Sequence, residues 1–81
     1  MARISGLQDD EGKLASLGKA IRARRHEMKL SQEALADAAG IDRSHMGKIE
    51  RGERNVTLLN VFRVADALKI TTAELVLKAG L

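Results

Sequence analysis

The fold of this chain is constrained most by residues 31–52, with the sequence SQEALADAAGIDRSHMGKIERG. Ser31 is a favourable N-cap, because its hydroxyl can accept a hydrogen bond from an otherwise unpaired backbone N–H. Strong helix formers follow it, and Gly40 suits the left-handed residue that ends many helices. Asp42 is a second N-cap, and its charge favours the positive end of the next helix dipole. The segment therefore predicts two short helices, at residues 32–39 and about 43–51.

The apolar residues of this segment are spaced so that two crossing helices can bury them. These residues are Leu35, Ala39, Ile41, Met46 and Ile49, with the small Ala36 where the helices approach closely. The rest of the second helix carries no large apolar residue, so its outer face is free for a hydrated, charged partner. Two helices joined by a short turn that contains glycine form a helix-turn-helix. The pattern therefore favours a protein that binds DNA and reads its sequence.

Three further helices are predicted outside the motif. Helical spacing of apolar residues indicates a first helix at about 13–28 and a fourth at 58–68. The fourth helix is expected to bury a stripe of five residues, Leu58, Val61, Phe62, Ala65 and Leu68. Thr71 and Glu74 form a T-x-x-E capping box, which marks the start of a fifth helix.

The composition is that of one small helical domain. The chain has 81 residues, of which 44% are apolar, and it has no proline to interrupt helices. Residues 1–12 show little periodicity, and we expect them to form a flexible N-terminal arm. Residues 13–81 are expected to form a compact five-helix domain of the all-α class.

The positive charge of the chain lies around the motif. The formal net charge is +3, and residues 19–54 hold nine Lys or Arg against six Asp or Glu. This clustering modestly favours a nucleic-acid partner over a solvated surface. No apolar run approaches the ~18 residues of a membrane span, and no signal-peptide pattern is present. We therefore expect a cytoplasmic protein that does not bind membranes.

The chain has too few candidate catalytic residues to suggest an enzyme. The only histidines are His26 and His45, and the absence of cysteine excludes disulfides and thiolate metal sites. No positioned nucleophile, phosphate-cradling glycine loop or metal cluster is evident. We expect no catalytic residue, no metal, no cofactor and no small-molecule ligand.

Over residues 14–77 the chain resembles the Xre family of phage-repressor-like helix-turn-helix regulators. The segments that carry the resemblance are LGKAIRARR, LSQEALADAAGI, SHMGKIERGER and VFRVADALKI. The longer run IDRSHMGKIERGERNVTLLNV is similar to the small controller proteins of restriction–modification systems. The resemblance implies a repressor-like DNA-binding domain that binds a two-fold-symmetric operator as a homodimer. Controller proteins bind such operators upstream of their own gene and the endonuclease gene.

The resemblance also implies roles for individual residues. The second helix of the motif lies in the major groove, with its N-terminal residues nearest the base edges. Arg43 is the best candidate for a base contact, because its guanidinium fork matches the two acceptors of guanine. Ser44 and Lys48 are further candidates for base contact. The candidates for contact with the DNA backbone are Gln32, His45, Arg54, Asn55 and Thr57.

Four residues in and around the motif have a structural alternative. Arg25 and Glu50 match a family pair that forms an internal salt bridge between the first and third helices, so we do not count them as DNA contacts. Gly47 lies in the middle of the recognition helix, where either a close approach to DNA or simple tolerance can explain it. At the start of the second helix, Gln32 matches a family position that contacts phosphate or supports a base-reading side chain.

A dimer surface and two other functions complete the sequence hypotheses. Leu59, Phe62 and Leu77 are candidates for an association patch, although single exposed leucines are common. One alternative function is a DNA-binding antitoxin with a separate toxin-binding surface. The other is a protein–protein adaptor on the same fold, against which the basic residues of the motif argue.

Overall fold

The computed structural model describes Asp9 and residues 11–81, and these residues form helices with no strand. The helices are α1 (Lys13–Glu27), α2 (Gln32–Ala39), α3 (Arg43–Glu50), α4 (Leu58–Ala67) and α5 (Thr72–Lys78). The all-α class and the order of the five helices are therefore confirmed. The C-terminal ends of α1, α3 and α4 fall one residue before the predicted ends. Residues 1–8 and 10 of the predicted arm lie outside the described residues.

The start of α1 is capped by Asp9, three residues before the helix boundary at Gly12. The two carboxylate oxygens of Asp9 accept hydrogen bonds from the backbone N–H groups of Lys13, at 2.9 Å, and Leu14, at 2.7 Å. Gly12 itself has a left-handed φ of 69° and offers no side chain to cap the helix. An acidic side chain therefore satisfies two backbone donors that the helix leaves unpaired at its start.

The core is built from apolar side chains of all five helices. Every predicted inward residue of the motif is buried, and Leu35 and Met46 are fully enclosed. In this arrangement α2 packs against α3 and α4, while α1 packs against α3 and α5. The motif is therefore held from both sides by the other helices.

Two residues predicted to be buried on α4 are exposed. Leu58 keeps 64% of its surface and Phe62 keeps 44%, so their assignment to the inward face is wrong. The other three, Val61, Ala65 and the C-cap residue Leu68, are buried as predicted, and Val64 joins them. Leu58 is the first residue of the helix and lies beyond the packed stripe. Phe62 follows Val61 by one residue, which turns it about 100° away from the core.

The position of α3 depends on a close crossing with α1 at Gly18. A Cβ atom built on Gly18 would lie 2.3 Å from the carbonyl oxygen of Glu50 and 2.7 Å from that of Ile49. Only glycine permits this approach, because backbone atoms cannot move aside as a flexible side chain can. The C-terminal end of α3 is therefore fixed against α1 by direct backbone packing.

Candidate nucleic-acid interface

Local capping interactions set the two helices of the motif. The Ser31 hydroxyl accepts a hydrogen bond from the backbone N–H of Ala34 at 3.0 Å. Gly40 ends α2 with a left-handed φ of 69°. The Asp42 carboxylate then accepts bonds from the N–H groups of Ser44, at 3.1 Å, and His45, at 3.3 Å. The three residues 40–42 thus form the tight turn that the sequence predicts between α2 and α3.

The outer face of α3 carries the predicted base-contacting residues. Arg43 and Ser44 are exposed in the first turn of the helix, and Lys48 is half-buried one turn later. Ser44 and Lys48 lie on the same side of the helix, because residues four apart are neighbours. The opposite side of α3 is buried through Met46 and Ile49. The helix therefore presents a polar, hydrated surface while its apolar side holds it to the core.

The predicted backbone contacts lie at both flanks of α3. Arg54 and Asn55 are exposed in the loop that follows α3, and His45 is half-buried on the helix itself. Thr57 caps α4, because its hydroxyl accepts a hydrogen bond from the N–H of Asn60 at 3.2 Å. The Thr57 side chain thus already has a structural role.

The Gln32 side chain forms a hydrogen bond inside the helix-turn-helix motif. Its side-chain amide donates a hydrogen bond to Oε1 of Glu50 at 3.1 Å. The side chain lies above Gly47, since a Cβ built there would lie 3.3 Å from Oε1 of Gln32. Gln32 therefore connects the start of α2 to the end of α3 and does not contact Arg43 through a hydrogen bond.

Arg25 and Glu50 form a buried ion pair between α1 and α3. Nε of Arg25 donates to Oε2 of Glu50 at 2.8 Å, and Nη2 donates to Oε1 at 3.0 Å. A third Arg25 donor, Nη1, bonds the carbonyl oxygen of Leu30 at 3.0 Å. This bidentate geometry occurs at the two positions for which the family resemblance implies an internal salt bridge.

Two ion pairs on the exposed side of the motif were not predicted from the sequence. Glu33 on α2 lies 3.5 Å from Arg43 on α3, measured from Oε2 to Nη1. Arg51 donates a hydrogen bond to Glu53 in the loop after α3. That hydrogen bond lowers the pKa of Glu53 below its ordinary value of 4.5 and raises the pKa of Arg51. The first pair could not be read from spacing, because its partners are ten residues apart across a turn.

An open cleft of about 240 Å³ lies beside Gln32. Its lining residues are Arg22, Arg25, Gln32, Glu50 and Arg51. Three guanidinium groups against one carboxylate give this cleft a positive balance. No motif in the sequence marks Arg22 or Arg51 as functional, because their side chains meet only when α1 and α3 pack together.

The described residues contain no group of His, Cys, Asp or Glu arranged to hold a metal ion. Among the described helices, none is long and apolar enough to cross a membrane.

Comparison with known proteins agrees with this geometry. A helix-turn-helix family model, HTH_3, matches residues 21–75, which is more than half of the chain. The chain belongs to the Xre-like helix-turn-helix family. The match covers α2, α3 and α4 completely, together with the C-terminal part of α1 and the start of α5.

The relatives of this chain include controller proteins of restriction–modification systems. It is 40% identical over 65 residues to control protein C.SmaI of Serratia marcescens, which covers 80% of this chain and 77% of that protein. It is 39% identical over 54 residues to control protein C.MunI of a Mycoplasma species, covering 67% of this chain and 73% of that protein. The crystal structure of the restriction-modification controller protein C.AhdI from Aeromonas hydrophila matches with a TM-score of 0.77 and 45% identity. That match covers 79% of this chain and 97% of the C.AhdI chain.

These findings confirm the resemblance to the Xre family and to controller proteins. The chain is a DNA-binding transcriptional regulator of the helix-turn-helix type, and it is not an enzyme.

Proposed function

We propose that this chain is a homodimeric regulator that binds a two-fold-symmetric operator, as a controller of a restriction–modification system. The observation that carries the proposal is the outer face of α3, where the exposed Arg43 and Ser44 stand in the first turn of the recognition helix. Similarity to C.SmaI and C.AhdI over most of each chain supports the controller assignment. Because its ligand is the operator DNA, the protein acts in the cytoplasm.

Base recognition is carried by three residues of α3. Arg43 donates two hydrogen bonds to O6 and N7 of a guanine, which is the commonest specific contact in the major groove. Ser44 and Lys48 read neighbouring positions from the same exposed side. Such contacts depend on the orientation of α3, which the crossing at Gly18 fixes.

The DNA backbone is held on both sides of α3. Gln32, His45, Arg54, Asn55 and Thr57 contact phosphates and set the register of the protein on the duplex. Gln32 is supported in this role by the positive cleft beside it, to which Arg22 adds a guanidinium group, while that of Arg51 is paired with Glu53.

The dimer forms through an exposed apolar surface on α4 and α5. Leu59 and Phe62 are exposed and lie three residues apart on α4, so they share one side of the helix. Leu77 is exposed on α5, which packs against α4. A two-fold dimer of such domains reads two half-sites about one helical turn apart (~34 Å).

A selection from random duplex DNA tests the proposed function. The wild-type protein is expected to enrich a two-fold-symmetric site. Arg43→Ala is expected to relax the preference at one base of each half-site, at a cost of about 1–3 kcal/mol for the lost bidentate contact. Lys19→Ala is the control, since it removes one positive charge from an exposed position on α1, away from the residues assigned to DNA contact and to the dimer. Failure to enrich any site, with only weak and salt-sensitive binding, would contradict operator binding.

A further inference from the structure

The carboxylate of Glu33 lies against the side chain to which we assign base recognition. Glu33 is in the first turn of α2, and its Oε2 is 3.5 Å from Nη1 of Arg43, the first residue of α3. The two side chains keep 63% and 69% of their surface exposed. The pair therefore stands on the open surface of the motif and is not part of the core.

We propose that Glu33 determines specificity, by making Arg43 a reader of base edges and preventing it from acting as a general phosphate contact. This inference rests on the proposed function, because it assumes that Arg43 enters the major groove. A carboxylate beside Arg43 repels an anionic phosphate that approaches the guanidinium group. The O6 and N7 acceptors of guanine carry no formal charge, so the same carboxylate opposes them far less.

The geometry of the guanidinium group allows Glu33 to stay in place during recognition. Arginine has five N–H donors in a rigid fork, and the contact with Glu33 engages only Nη1. The remaining donors are sufficient for a bidentate contact with guanine. A guanidinium group held from one side also has fewer orientations to lose when it binds a base.

The neighbouring residue does not supply this support. Family resemblance allows Gln32 to support a base-reading side chain, but its amide donates to Glu50 at the other end of α3. Glu33, the next residue of α2, is the side chain that reaches Arg43.

Glu33→Gln tests this inference, because it keeps the size of the side chain and removes its charge. Binding to random duplex and to the selected site is measured over a range of salt concentrations. Freed from its partner, Arg43 should raise the affinity for random duplex about two- to fivefold, the range expected for an exposed ion pair. The slope of log K against log salt should steepen by about 0.9, because one more cation then neutralises a phosphate. The selected site should gain less, so the ratio of specific to random affinity falls.

Asp37→Asn is the matched control, since it removes one exposed negative charge from the same helix. It should leave the ratio of specific to random affinity at the wild-type value. In an Arg43→Ala background, Glu33→Gln should have no more effect than Asp37→Asn, because the group it acts through is gone. Circular dichroism should show an unchanged helical fold in each variant.

Two results would overturn the inference. If Glu33→Gln changes the affinities for the selected site and for random duplex by the same factors as Asp37→Asn does, Glu33 contributes only its charge. If Glu33→Gln has the same effect with and without Arg43, it does not act through that side chain. The failure of the proposed function looks different, because the wild-type protein would then select no site at all and both proposals would fall together.

Discussion

The buried ion pair between Arg25 and Glu50 gives the most quantitative test of how α3 is held. The pair keeps only 10% and 3% of its side-chain surface exposed, and two hydrogen bonds join it at 2.8 and 3.0 Å. Leu30 and Gln32 provide two further hydrogen bonds, at 3.0 and 3.1 Å. Among the described residues, no buried side-chain nitrogen or oxygen lacks a partner. Removing one member therefore leaves the other charged and almost without water.

Glu50→Gln is expected to lower the free energy of unfolding by about 3–5 kcal/mol. The substitution keeps the shape of the side chain, removes the negative charge, and directs an amide donor towards the donors of Arg25. A chain of this length has a total folding free energy of about 4–12 kcal/mol, at ~0.05–0.15 kcal/mol per residue. The expected loss is therefore about a quarter or more of the total folding free energy. Urea unfolding followed by far-ultraviolet circular dichroism measures the loss.

A double variant keeps this prediction decisive if Glu50→Gln fails to fold. Arg25→Met combined with Glu50→Leu removes both charges and fills the same space with apolar atoms. Replacement of a whole buried pair is often neutral or stabilising, so the double variant should be clearly more stable than Glu50→Gln. The partners it abandons, Leu30 and Gln32, are half-buried and can bond water. A loss below about 1 kcal/mol in Glu50→Gln, or a double variant no better than the single one, would refute the reasoning.

Three further predictions test the dimer surface, the helix crossing and the loop after α3. Leu59→Asp should shift the DNA-free protein to a monomer in sedimentation, because it places a charge in the apolar surface of α4. Ala23→Asp, which adds the same charge at an exposed position on α1, should not, and an unchanged dimer in Leu59→Asp rules out the assignment. Gly18→Ala should cost about 3 kcal/mol in urea unfolding, because its Cβ meets backbone carbonyls of α3, and a cost below about 1 kcal/mol would contradict the close crossing. The lowered pKa of Glu53 stabilises the fold above its ordinary pKa of 4.5, and this contribution is lost as the pH falls through the folded-state pKa. The advantage of the wild type over Glu53→Gln in thermal midpoint should therefore be fully present well above pH 4.5 and should shrink as the pH falls below 4.5, and a gap independent of pH would count against the contact with Arg51.

The helix boundaries could be predicted because the interactions that set them are local. Ser31, Asp42, Thr57 and Thr71 each cap a helix through a backbone N–H two or three residues away. Each of these interactions involves only residues that are close together in the sequence, so it does not depend on how the helices pack. The same is true of Gly40, whose left-handed conformation ends α2.

Features that depend on how helices cross could not be predicted in this way. The contact between Glu33 and Arg43 depends on the angle between α2 and α3, and neither residue shows a pattern that pairs it with the other. The inward face of α4 was misjudged for a related reason. Leu58 and Phe62 are apolar at helical spacing, but the neighbouring helices cover the side marked by Val61 and Val64. Hydrophobic periodicity identifies a helix more reliably than it identifies the covered part of that helix.

Gly47 shows how a residue can be unfavourable locally and still fit the fold. Glycine within a helix costs about 1 kcal/mol relative to alanine, and the sequence alone offered DNA approach or simple tolerance as explanations. In the structure Gly47 is buried, and an added Cβ would lie 3.3 Å from Oε1 of Gln32 and 3.2 Å from Nη1 of Arg51. A methyl group would therefore push first on the two side chains that line the positive cleft. Because Gly47 has no side chain, Gln32 has room to cross α3 and bond Glu50. The glycine weakens the helix locally, but it allows Gln32, a proposed phosphate contact, to be held in one position.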